Sequence, residues 1–177
     1  MKQGKFQIII KLIAQMAVMI ALSIVITRFL SFQPTPVIRI QFGWLPIILI
    51  AYLHGSWAAG ISWGFADLLG YLINSFGAPF HGGIPVSFFL SGIVLGFLIY
   101  RKRSNELNSF LAVLGVAAIS LFLTSLWLSQ LFGAPYWATV SARIIQVVML
   151  GTLQFFFIRL LTSDKSYVNR AIRKIAM

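Results

Sequence analysis

The sequence contains no cysteine, only two histidines and only three acidic residues. Without cysteine there are no disulfides and no thiolate-held zinc or iron–sulfur centres. His54 and His81 fall at opposite ends of one apolar segment, so neither a histidine metal site nor a serine–histidine pair is expected. The phosphate-binding pattern G-x-x-x-x-G-K-[ST] is missing, as are H-E-x-x-H and G-x-S-x-G. The chain is therefore not expected to be an enzyme, to hydrolyse ATP itself, or to bind a metal or cofactor. Charge is scarce as well: 10% of residues, against about a quarter in soluble domains. No hydrophilic stretch is long enough for a separate soluble domain, so residues 1–177 read as a single membrane domain.

What is present is apolar. The chain is 59% hydrophobic with a mean hydropathy of +0.92, yet its net charge is +11. Most of that charge sits in three clusters beside apolar segments: Lys2/Lys5/Lys11, Arg101/Lys102/Arg103, and Arg159/Lys165/Arg170/Arg173/Lys174. Topology and anionic lipid account for such clusters better than nucleic acid does. The basic, then apolar, N-terminus resembles a signal peptide, but the run is too long and no A-x-A site follows, so it reads as a retained first helix. The positive-inside rule places all three clusters in the cytoplasm, and an even number of spans must then separate each pair. A single helix over residues 42–76 would be about 52 Å long and would overshoot a roughly 30 Å hydrocarbon core. It would also make the count odd. The expectation is therefore an all-α, six-helix transmembrane bundle with both termini cytoplasmic. Its helices lie at about 8–30, 42–54, 57–76, 84–100, 108–131 and 137–160. Turns fall at "FQPTP", "HGS", "FGAPFHGG" and "FGAP". Val168, Ala171, Ile172 and Ile175 alternate with basic residues, as in an amphipathic helix on the inner membrane surface over 164–177.

This topology puts Arg28 and Arg39 on the outer side, against the usual bias. Other polar residues converge there. Trp63, Asp67, Tyr71 and Asn74 share a face of the third helix. Asp67 is the only acid inside a span, and a buried acid marks either a site or an ion pair. Both readings stand, the second as an Arg28–Asp67 pair. Arg143 and Gln146 share a face of the sixth helix, and Ser120, Thr124 and Trp127 a face of the fifth, where Trp127 is equally suited to the interfacial belt. Ser87 and Ser91, a turn apart, fit bonds to their own helix carbonyls. His81, in the outer loop, is either a ligand contact or solvated. A pocket with about three arginines and several aromatics suits an aromatic anion, since arginine pairs with carboxylates and rings stack. Ala14, Ala17 and Ala21 in helix one, Gly60/Gly64 and Gly92/Gly96 give small-residue faces for close helix packing.

These features meet in one family. The stretch "RIQFGWLPI" (Arg39, Phe42, Gly43, Leu45, Pro46, Ile47), the arginine that ends helix one (Arg28), and the segment Phe65 to Gly70 around Asp67 resemble the substrate-binding S components of energy-coupling factor (ECF) vitamin transporters. The folate-specific subfamily is the nearest in character. That subfamily has a proline-glycine-phenylalanine-threonine run before helix four, where this chain reads "HGGIPVSFFLSG". The resemblance implies a multi-pass protein of a bacterial cell membrane that binds a vitamin at its outer face. It implies docking through Ala14, Ala17 and Ala21 onto a transmembrane T component, with two cytoplasmic ATPases using ATP and Mg. For folate, Arg28, Arg39 and Arg143 are the candidates for the glutamate carboxylates. Asp67, Asn74 and Gln146 are candidates for the pterin edge, with Phe42, Trp63, Phe80 and Trp127 as stacking surfaces and His81 as a loop contact. Another vitamin, such as pantothenate or hydroxymethylpyrimidine, and a homo-oligomeric proton-coupled carrier are the alternatives.

Overall fold

The computed structural model describes residues 2–35, 37–75, 77, 79–100 and 106–162. Six helices run through them: α1 (Lys2–Phe29), α2 (Trp44–His54), α3 (Ser56–Ile73), α4 (Gly83–Ile99), α5 (Glu106–Phe132) and α6 (Tyr136–Thr162). Among the described residues the only extended pairing is one antiparallel bridge, Phe32 to Ile40. The amphipathic segment expected over 164–177 lies outside the described residues.

The fold is built inside out relative to a soluble bundle. Large apolar side chains such as Val18, Phe97, Ile145 and Val148 face outward, while Ser62, Ser87, Ser109, Ser125 and Arg143 are buried. A hydrocarbon surrounding explains this, because apolar surface gains nothing by leaving lipid and polar groups must find partners inside. Helices α1, α5 and α6 are long and apolar enough to cross a membrane. The tightest helix pair is α3 with α4, and its small residues explain why. Gly92 lies against the Ala59 carbonyl and Gly60, and Gly96 lies against Ser56. A side chain at either glycine would meet backbone, which cannot yield.

Helix α2 ends at Gly55, whose φ of +87° lets α3 start one residue later. The break expected within "HGSWAAG" is therefore a single residue. At about 16 Å, α2 does not cross a bilayer alone. The chain before it supplies the missing depth. Residues 37–42 are half-buried and extended, and the carbonyl of Arg39 accepts a 2.6 Å hydrogen bond from Nε2 of Gln146. Gln146 lies about 15 Å along α6 from Tyr136. Arg39 is thus set well into the bundle rather than in a rim loop. Irregular backbone at such depth is tolerated where it packs on protein or lines a cavity. The described residues of the connections between α1 and α2, α3 and α4, and α5 and α6 all lie at this end of the bundle, the pocket end.

Candidate ligand-binding site

Two glycines determine how the pocket end closes. Gly43, just before α2, lies so close to Thr27 that a Cβ would overlap its hydroxyl, and Ser23 Oγ donates to the Gly43 carbonyl at 2.7 Å. This contact seats the 39–43 segment on α1. Gly70 leaves the gap on α3 over which the Arg28 guanidinium lies. From the last turn of α1, Arg28 donates from Nη1 to the Asn74 carbonyl at 2.7 Å and from Nη2 to the Asp67 carbonyl at 3.2 Å. Its Nη2 stands 3.7 Å from Asp67 Oδ1. The segment from Asp67 to Gly70 thus works as one unit: an acid beside the arginine and a glycine beneath it. Arg39 Nη2 donates to the Thr27 carbonyl at 2.9 Å.

Arg143, from α6, is held by α5. Its Nη1 donates to the Ser120 carbonyl (2.8 Å) and Ser125 Oγ (3.0 Å), and its Nη2 to Ser120 Oγ (3.3 Å). The Ser120 carbonyl is available because residues Ile119–Leu123 form a π turn. There the Thr124 N–H bonds the Ile119 carbonyl instead of the α-helical partner, Ser120.

These groups surround a cavity at the pocket end with about 850 Å³ of empty space, its open mouth included. Arg28, Arg39, Asp67, Phe80, His81, Arg143 and Gln146 line it. A second cavity of about 610 Å³ shares Arg39, Gln41, Phe88, Thr124, Arg143 and Gln146 with the first and adds Trp44, Trp63 and Gln154. Trp63 therefore belongs to the second cavity alone. Phe42, Asn74 and Trp127 line neither. Phe42 packs near Trp44, with ring centroids 6.4 Å apart. Asn74 offers its backbone carbonyl to Arg28. Trp127 stacks on His81 (5.2 Å) and donates from Nε1 to Ser87 Oγ at 3.0 Å, bracing the start of α4. Gly83 is essential to that brace, since a Cβ there would overlap the indole.

Gln33, Gln41, Trp44 and Phe88 also line the cavities without having been singled out in the sequence. Gln41 and Trp44 fall within "RIQFGWLPI", but at positions that the R-x-x-F-G-x-L-P-I pattern leaves open. Phe88 sits in an unbroken apolar helix and carries no such mark. On α1, Ala14, Ala17 and Ala21 are all exposed.

Comparison with known proteins places this geometry. The family described as "ECF transporter, substrate-specific component" matches residues 11–163. The folate transporter FolT of Clostridium novyi (strain NT) is 35% identical over 136 residues, which is 76% of this chain and 78% of that protein. The crystal structure of FolT bound with folic acid superposes with a TM-score of 0.76 at 32% identity, over 85% of this chain and 91% of that one. The chain belongs to the substrate-specific components of ECF transporters.

Proposed function

We propose that this chain captures folate at the outer face of a bacterial cell membrane for uptake by an ECF transporter. The observation that carries this reading is its likeness, in sequence and fold, to a FolT crystallised with folic acid. The site supports it chemically. Folate is a flat heterocycle joined through a benzoyl group to a glutamate with two carboxylates. The paired cavities offer arginines and aromatic walls in one continuous run. Arg28 and Arg39 line the open cavity and suit the carboxylates. Trp44, Trp63 and Phe88 line the inner one and suit the ring.

Orientation follows from charge. The start of α1 and the ends of α4 and α6, beside which the three basic clusters fall in sequence, are the ends away from the pocket, and the positive-inside rule turns the pocket outward. The energy is supplied by partners. A transmembrane T component docks on the exposed Ala14, Ala17 and Ala21 face, and two ATPases supply ATP hydrolysis. Tryptophan fluorescence of the purified protein, titrated with folate and with pantothenate under inner-filter control, tests the ligand. Saturable quenching by folate alone is expected. Saturation by pantothenate in preference to folate would sink the reading, because pantothenate has no ring to stack.

A further inference from the structure

The two cavities meet at Arg143 and Gln146, one turn apart on α6, and each side chain is only partly used by the protein. The guanidinium edge carrying both Nη atoms is committed to Ser120 on the π turn and to Ser125 just after it. Its Nε is buried and has no hydrogen-bond partner among the described residues. The amide nitrogen of Gln146 is committed to the Arg39 carbonyl, while its Oε1 is buried and likewise without a partner. Arg143 and Gln146 are 5% and 9% exposed, so water does not freely satisfy these atoms. A buried donor and a buried acceptor left open at a cavity junction cost free energy unless something fills them.

We infer that Arg143 and Gln146 form a subsite that reads a lactam edge, with Arg143 Nε donating to the ring carbonyl and Gln146 Oε1 accepting from the adjacent ring N–H. The π turn, with Ser120 and Ser125, is the positioning element that turns this edge of Arg143 to the ligand. The inference rests on folate as ligand, whose pterin carries a 4-oxo group beside N3–H. It reassigns Arg143 from a carboxylate clamp to a reader of the heterocycle. A carboxylate offers two acceptors and would leave Gln146 Oε1 facing another oxygen, whereas a lactam satisfies both open atoms at once. An ordinary α-helical turn would keep the Ser120 carbonyl bonded to Thr124 N–H and deny Arg143 its closest anchor.

The test uses folate and its 4-amino analogue, which differ at this edge and share the same glutamate. Affinities are measured by tryptophan quenching for wild type, for Ser120→Ala/Ser125→Ala and for Arg143→Lys. Wild type should prefer folate by about tenfold or more, the scale of charge-assisted hydrogen bonds. Both variants should bring that preference close to unity. Arg143→Lys keeps the charge and removes Nε, so it reports on the edge even if the double serine variant folds poorly. Parallel weakening of both ligands with the preference intact would show that Arg143 serves the carboxylates or only the fold, and would overturn the subsite. Equal wild-type affinity for the two ligands would overturn it too. Failure of wild type to bind either ligand would instead sink the folate reading, and the subsite with it.

Discussion

Gly70 and Gly82 form a matched pair for testing how Arg28 is seated. Both are backbone-compatible with alanine, but a Cβ at Gly70 would press into the Arg28 guanidinium, while at Gly82 the nearest atom, on Phe80, is 4.0 Å away. Gly70→Ala should therefore displace Arg28 from Asp67 and Asn74 and weaken folate binding by about tenfold, with about 1–3 kcal/mol of overpacking cost. Gly82→Ala should change neither. Titration and thermal melting of the two variants side by side check this, and equal behaviour would remove Gly70 from the site. Asp67→Asn separates the two readings of that residue. Arg28 already holds the Asp67 and Asn74 backbone carbonyls, and the carboxylate stands 3.7 Å away, as a charge partner. Removing the charge should lower the melting temperature while moving the folate Kd less than about threefold, since a partly buried pair acts chiefly on stability. A collapse of affinity with an unchanged melting temperature would make Asp67 a ligand contact.

At the scale of elements, the close contact of α3 and α4 is the most sensitive joint. Gly92→Leu should wedge the helices apart against the Ala59 backbone and destabilise the bundle by about 3 kcal/mol or more, seen as loss of the monodisperse protein in detergent. Val18→Leu, exposed on α1, is the control and should be neutral. The two G-x-x-x-G faces were legible because small residues at helical spacing have few other uses in lipid. The break between α2 and α3 was legible for a similar reason: "HGS" carries the glycine that only a turn requires. Two elements were not legible. The π turn is written "ISLFL", without proline or glycine, and its apolar residues fit a plain helix equally well. The inward course of the segment before α2 is hidden because an extended, half-buried stretch has no helical period, and the sequence places Arg39 only on the outer side. Its depth is fixed by the Gln146–Arg39 bond, which joins residues far apart in the chain. The arginines were found because charge is rare in this sequence. Which guanidinium edge each leaves open depends on backbone carbonyls, and no side-chain pattern records those.

Across the whole molecule, the proposed ligand pocket and the proposed docking face are different surfaces. The cavities open at the pocket end, between α1, α3, α4, α5 and α6. Ala14, Ala17 and Ala21 lie on the outward face of α1, before the turn that carries Arg28. Close helix approach depends on side chains as small as these, and a large ring placed there would hold a partner helix away without touching the pocket. Ala17→Trp should therefore bind folate with wild-type affinity when purified alone. In vesicles reconstituted with the T component and both ATPases, ATP-dependent folate uptake by the same variant should fall by about tenfold or more, a loss of about 1.4 kcal/mol or more in docking. Unchanged uptake would place the docking surface elsewhere. Loss of binding by the isolated variant would show that α1 couples the two surfaces, because Arg28, near the end of the same helix, would then have shifted with it.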